Sequence, residues 1–346
     1  MQTARLDEVI RQKEPELKEA IEQLACGDVH GAVANLDQPG RVHEIVGREE
    51  RLGVIAREYA REPQGTLIIS PDNESRRELN TLIHRQMQAR GDVNPEEPKL
   101  RVLASRNEMT GADRQWAAQY EEGDLVRYTR GSKVLGIDPG EYARVDRVDA
   151  RENRITIERE NGVQQTYDPR RLSGVSVYQE VQREFSQGDR VQFTAPSKEL
   201  QVANRELGTI ERVSQSGNLK IRMDSGREVR FNIREHPHLD HGYAVTSHSS
   251  QGQTADRVLI HVDTDKSELL VNNRFAYVSV SRAQHDAHIY TNDQSKLPHN
   301  LSRDNSQRTA TETGEQQSIP KIEPASGLAE RPAEKEQGHT LSIGLA

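Results

Sequence analysis

Gly242-Tyr243-Ala244-Val245-Thr246-Ser247-His248-Ser249-Ser250-Gln251-Gly252-Gln253-Thr254 is the most informative stretch of the chain, and it runs on into Val258-Leu259-Ile260-His261-Val262. A short apolar strand that breaks into a polar loop and resumes as a second continuous apolar strand suits a parallel sheet covered on both faces. The loop gathers hydroxyls, an imidazole and an amide, and Gly252 permits close approach of a backbone. Such groups bind phosphate oxygens without carrying charge, which suits a surface that must grip and release. A second stretch, Tyr277-Val278-Ser279-Val280-Ser281-Arg282-Ala283, reads as the end of a helix. Its Arg282, among small neighbours, can reach a phosphate bidentately.

The same α/β pattern lies upstream. Leu6, Val9 and Ile10 recur at helical spacing, Pro15 opens a second helix with Leu17, Ile21 and Leu24, and Asp28 caps a third. Val54, Ile55 and Tyr59 mark a further helix. The run Thr66–Ser70 is a buried strand, followed by a loop and a helix with Arg76, Arg77, Leu79, Asn80, Ile83 and His84. A helix near 268–282 and a strand at His288-Ile289-Tyr290 complete the pattern after the decisive loop. Between them, from about Glu121 to Leu239, short strands alternate with Gly-Asp, Asn-Gly and Ser-Gly turns.

That central block contains a repeat. Gly123-Asp124-Leu125-Val126-Arg127-Tyr128-Thr129 matches Gly188-Asp189-Arg190-Val191-Gln192-Phe193-Thr194 at an offset of 65 residues, and Ser132-Lys133 meets Ser197-Lys198 at the same offset. Each unit resembles a small SH3-like barrel, with Tyr128, Phe193 and Phe231 as core residues. The predicted organisation is an α/β domain interrupted by two tandem SH3-like barrels. Its first part is 1–118, the barrels are 119–180 and 181–239, the remainder of the α/β domain is 240–297, and 298–346 is a disordered tail rich in polar residues.

The two diagnostic stretches resemble motifs V and VI of superfamily 1 helicases of the 5′→3′ branch, and the wording from Asp240 to His248 is similar to the F-plasmid-type conjugative relaxase–helicases. Ile10-Arg11-Gln12 resembles motif IV of the same group, and the inserted barrels resemble one placed ahead of motif V. The resemblance covers about residues 1–295 and implies that the α/β domain is a RecA-like parallel-sheet domain. It implies that Arg11 and Arg282 are arginine fingers directed at ATP, with Gln12, Gly252 and Gln253 near the nucleotide. It implies that Thr246, His248, Ser250, Gln251 and Thr254 contact single-stranded DNA, with Arg76, Arg77 and Lys198 as further phosphate contacts. The sequence has no Gly-Lys dipeptide and no apolar strand ending in Asp-Glu. ATP and Mg²⁺ are therefore expected only together with an N-terminal helicase domain, in the same or a separate polypeptide, and the chain alone is expected to be inert. A conjugative relaxosome or coupling protein is a further expected partner. The alternative is a non-enzymatic module that binds single-stranded DNA or docks on conjugation proteins.

A net charge of −8 over 346 residues argues against uniform affinity for nucleic acid, although binding needs only a local basic stripe. Cys26 is the only cysteine, which excludes an intramolecular disulfide and suits a reducing compartment. No apolar run approaches a membrane span, so the expectation is a cytoplasmic protein without membrane contact. Cys26 is read as a small helix-packing residue and Trp116 as a packed side chain. The His236-Pro237-His238-Leu239-Asp240-His241 cluster is read as an exposed connector, with no metal, because Pro237 precludes a helix that would gather the three rings.

Overall fold

The computed structural model describes residues 12–95, 98–106, 109, 111–266 and 269–303. The first expected helix, Arg11 and all of the tail beyond residue 303 lie outside them. Helix α1 (Pro15–Cys26) begins on Pro15, where a missing N–H costs nothing, and ends on Gly27 in the left-handed conformation that terminates helices. Asp28 caps α2 (Val29–Asp37) by accepting from the Gly31 N–H at 3.0 Å. A three-residue strand, β1 (Val42–Glu44), leads to α3 (Arg48–Arg61), then β2 (Thr66–Ser70) and α4 (Asn73–Arg90). The inserted strands follow: β3 (Lys99–Ser105), β4 (Leu125–Tyr128), β5 (Tyr142–Asp149), β6 (Arg154–Arg159), β7 (Gln164–Tyr167) and β8 (Val175–Glu184). They continue with β9 (Arg190–Phe193), β10 (Leu207–Val213), β11 (Asn218–Met223), β12 (Glu228–Asn232) and β13 (Leu239–His241). The α/β pattern resumes with β14 (Ala244–Thr246), β15 (Ala255–Val262), α5 (Asn273–Val280), β16 (Ala283–Thr291) and α6 (Leu297–Leu301).

The α/β strands form one parallel sheet in the order β1-β16-β15-β2-β14. Both faces are covered, which is why its strands read as continuous apolar runs. Leu67, Ile69, Val258 and Ile260 pack with α1, α2 and α5, while Ile68, Leu259 and Tyr290 pack with α3 and α4. Among the described residues no helix is long and apolar enough to cross a membrane.

The insertion is two antiparallel sheets, a six-stranded one ordered β3-β8-β4-β5-β6-β7 and a five-stranded one ordered β12-β11-β10-β9-β13. Tyr128 is buried in the first core, Phe193 and Phe231 in the second. The repeat holds in three dimensions. The Gly123 N–H donates to Val145 O and the Gly188 N–H to Ile210 O, both at 2.8 Å. Asp124 and Asp189 each accept the N–H three residues earlier, from Glu121 and Ser186.

Several expectations need adjustment. Strand β3 falls in the segment 1–118 yet pairs with β8 along its whole length, and β8 crosses the 180/181 boundary. Composition marks where turns become frequent, not where the first inserted strand begins. Helix α5 is shorter than 268–282: Asn272 accepts from the Phe275 N–H at 2.9 Å and so fixes its start, and Arg282 stands in the turn beyond its end. The segment assigned to a disordered tail opens inside α6, whose Leu297 and Leu301 are buried. Cys26 is exposed rather than packed. Trp116 is 52% exposed, with the Arg170 guanidinium 5.8 Å from its ring centre.

One buried cation ties the α/β layers together. Arg51 of α3 is fully buried and donates to Asp263 Oδ2 at 2.8 Å, to Ile45 O at 2.7 Å and to Val46 O at 3.2 Å, joining α3 to the turn after β1 and the end of β15. Removing one partner of a buried pair leaves an uncompensated charge, which costs about 3–5 kcal/mol. Arg51→Met is expected to lower the urea unfolding free energy by that order. A loss below about 1 kcal/mol, the range of exposed pairs, would show that the pair carries no such load.

Candidate functional site

The loop after β14 is built by its own hydroxyls. Thr246 ends the strand; its Oγ1 accepts from the Ser249 N–H at 3.3 Å and its carbonyl accepts from the Ser250 N–H at 2.9 Å. The Ser250 hydroxyl donates to Ser247 O at 2.8 Å, and the Gln253 side-chain amide donates to Ser249 O at 2.9 Å. Gly252 takes a φ of 87°, with open space where a Cβ would stand. These bonds turn His248, Gln251 and Thr254 outward, while Thr246 and Gln253 are half-buried. Ser250 is fully buried, so its hydroxyl shapes the loop and does not face a ligand.

Arg282 meets the far end of this loop. Its Nε donates to Val278 O at 3.0 Å, and its Nη1 lies 3.4 Å from Gln253 O. The Ala255 N–H donates to Arg282 O at 2.9 Å, so the backbones of the two segments are joined as well. Gln12, nearly buried, brackets the arginine: its amide nitrogen donates to Ser281 O at 3.3 Å and Ala283 O at 2.9 Å. Its Oε1 has no partner among the described residues. Gln12, Gln253 and Arg282, far apart in sequence, thus converge, and a bare acceptor oxygen lies in the same cluster as a half-buried guanidinium. Arg11 lies outside the described residues.

The other basic candidates are placed differently. Arg76 is only 9% exposed and is 3.4 Å from Asp240, which Arg183 approaches from the other side at 3.2 Å. Its guanidinium is committed to the interior, which corrects its reading as a phosphate contact. Arg77 is exposed on α4. Lys198 is exposed too, but it lines a cleft of about 1160 Å³ between the antiparallel sheets, with Arg101, Arg127, Tyr142 and Phe193 among the other lining residues.

The histidine cluster is not an exposed connector. Residues 239–241 form β13, pairing with β9, and His241 is buried. Asp189, fully buried, sits 2.9 Å from His84 Nδ1 and 3.7 Å from His241 Nε2; it accepts from the Ser186 N–H at 2.6 Å and from the Tyr243 hydroxyl. Burial alone would raise its carboxyl, but the imidazoles of His241 and His84 outweigh that and hold it well below the usual carboxylate range. The ligand atoms of His84, Asp189 and His241 lie within 4.8 Å of one another. Since Ser186, Tyr243 and His84 already occupy the carboxylate, the group acts as a clamp between α4 and the five-stranded sheet. Sequence alone could not reveal it, because His84 and Asp189 are 105 residues apart.

With this geometry in view, the relatives can be placed. Residues 197–291 match the viral superfamily 1 RNA helicase core domain, a span that includes the Thr246 loop and Arg282. The chain is 25% identical over 338 residues to the multifunctional conjugation protein TraI of Escherichia coli, a match covering 84% of this chain. It is also 31% identical over 110 residues, or 31% of its length, to a probable conjugal transfer protein TraA of Sinorhizobium fredii. The matches span 18% of the first relative's length and 10% of the second's. Among solved structures it is similar to Bacteroides Pif1 bound to ssDNA, with a TM-score of 0.43 and 13% identity, covering 88% of this chain and 55% of that one. A Candida albicans Pif1 helicase gives the same TM-score at 12% identity, covering 90% of this chain and 60% of that one.

Among the groups facing the sheet interior, His261 on β15 is fully buried and neither ring nitrogen has a partner among the described residues. Burial, with the nearby Arg51 cation, pushes it down to about 4. The unfolded chain, titrating near 6.5, then binds more protons, so this histidine's stabilising contribution is whole above about pH 6.5 and is lost as pH falls toward 4. The expected slope is an acid loss of roughly 3 kcal/mol over that window. His261→Leu should flatten that part of the stability–pH curve in chemical denaturation. An unchanged slope would show that His261 is protonated in the native state.

Proposed function

We propose that this chain is the second motor half of an ATP-dependent DNA helicase that moves 5′→3′, of the kind found in conjugative relaxase–helicases. In this reading the parallel sheet is a RecA-like domain and the two antiparallel sheets are SH3-like barrels. The observation that carries the reading is the meeting of Arg282, Gln12 and Gln253 at one end of the loop whose other end carries Thr246 and His248. A single short segment then joins a nucleotide-facing cluster to a strand-facing surface, which is what coupling of hydrolysis to stepping requires. The TraI relative is a conjugation protein, which supports the cellular setting.

The residues present fit a nucleotide. Arg282 is half-buried and can face anionic oxygens, and Gln12 bonds the carbonyls on either side of it. ATP bound there would supply the scissile phosphoanhydride; Arg282, with Arg11 by its sequence position beside Gln12, would stabilise charge developing on the γ-phosphate. The phosphate-cradling loop and the Mg²⁺ carboxylate would come from an N-terminal helicase domain, so the chain alone is not a catalyst. Thr246, His248, Gln251 and Thr254 would contact single-stranded DNA, and a relaxosome or coupling protein would be the wider partner.

In a fusion with an N-terminal helicase domain carrying a phosphate loop, Arg282→Ala is expected to lower kcat by roughly 10³–10⁵, the worth of an arginine finger, with the single-strand Kd nearly unchanged. Steady-state ATPase assays decide; turnover within about threefold of wild type, far short of that range, would remove Arg282 from the chemistry.

Binding by the chain alone should be weak and steeply salt-dependent, because phosphate contacts release counterions. Anisotropy titrations from 50 to 200 mM salt, the range over which phosphate-driven affinity collapses, test this. A flat profile would shift the interaction to base stacking.

A further inference from the structure

The two copies of the repeat contain the same turn built from different residues, with only the glutamate shared. In the first copy, Asp138-Pro139-Gly140-Glu141, the Gly140 N–H donates to Tyr128 O at 2.6 Å and Gly140 has a φ of 90°. In the second, Ala203-Asn204-Arg205-Glu206, the Arg205 N–H donates to Phe193 O at 2.8 Å and Arg205 has a φ of 74°. The surrounding bonds repeat as well: Glu141 accepts from the Asp138 N–H and Glu206 from the Ala203 N–H. An arginine thus occupies a left-handed position where its own repeat has glycine, the residue that this conformation favours. Its carbonyl is held too, accepting from the Gln192 side-chain amide at 3.2 Å. A disfavoured backbone persists where the surroundings over-determine it; Gln201, at φ 52° where the first copy has Gly136, shows that the conformation alone assigns no role, so the role of Arg205 lies in its side-chain contact.

That contact is visible. Arg205 Nη1 donates to the carbonyl of His248 at 3.0 Å, across 43 residues, in the middle of the Thr246–Thr254 loop. We propose that Arg205 is a positioning residue through which the second antiparallel sheet holds the His248 loop in shape. The inference rests on the reading of that loop as the single-strand contact only for its consequence, tighter DNA binding; the tether itself stands on geometry.

Hydrogen exchange on the whole chain without DNA tests the tether directly. The Ser249, Ser250 and Gln253 amides are the reporters, since each is bonded within the loop. Arg205→Gly restores the repeat's glycine, so the melting temperature should hold or rise while these amides exchange roughly tenfold faster, as for a segment released to local opening. Arg205→Met keeps the backbone constraint and removes the donor; the same acceleration is expected. Exchange within about twofold of wild type in either folded variant overturns the proposal, as does a lowered melting temperature with the loop still protected. Anisotropy with a thymidine oligonucleotide separates the two readings. If the loop is released in Arg205→Gly while neither it nor Thr246→Ala weakens binding, the tether stands and the loop's role in DNA contact falls.

Discussion

A carboxylate buried without solvent must be surrounded by donors, and Asp189 draws its donors from both architectures of this protein. His84 comes from α4 of the parallel layer, Ser186 from the turn before β9, and Tyr243 from the link into β14. No one of these segments can shift without stripping a partner from a buried charge, a loss that exceeds the worth of an ordinary hydrogen bond. Asp240 repeats the device one layer away, between Arg76 of α4 and Arg183 of β8. Helix α4 is therefore the element to which the insertion is fastened.

The same helix sets the candidate site. Asn80 donates to His241 O and Ala244 O and accepts from the Ala244 N–H at 2.7 Å, fixing where β14 starts. Strand β14 then pairs with β2 so that Thr246 lies opposite Ser70 at the carboxyl edge of the sheet, where open α/β sheets present their ligand-binding loops. From that edge the loop reaches Arg282 through Gln253, and Gln12 holds the carbonyls on either side of the arginine. The geometry of the site follows from local hydrogen bonds, since few of its groups carry charge.

The parallel sheet was legible because burial on both faces writes uninterrupted apolar runs such as Thr66–Ser70 and Val258–Val262. The repeat was legible because the Gly-Asp turn is copied with its flanking alternation. Strand β1 was not, because three residues reading Val-His-Glu carry no period. Arg76 could not be distinguished from Arg77 by sequence, since which of two adjacent arginines faces inward depends on Asp240, 164 residues away. His241 was misjudged for the same reason: proline argued correctly against a helix, but a strand paired to β9 also gathers and buries side chains. Contacts between distant segments, and not local propensity, decided every such case.

The two places where the chain passes between the layers have a mechanical consequence. At the outgoing passage Ser186 donates to Asn94 O at 2.6 Å, and Gly188 packs so tightly that a Cβ there would stand 2.8 Å from Asp92 O. At the return, β13 is stitched to β9 and Gly242 is pressed against Val191 with no room for a side chain. Both joints are thus packed backbone against backbone at these two glycines. Any side chain larger than hydrogen at position 188 or 242 would therefore have to push the two layers apart, so hydrogen at these two positions sets how closely the insertion can sit on the parallel layer.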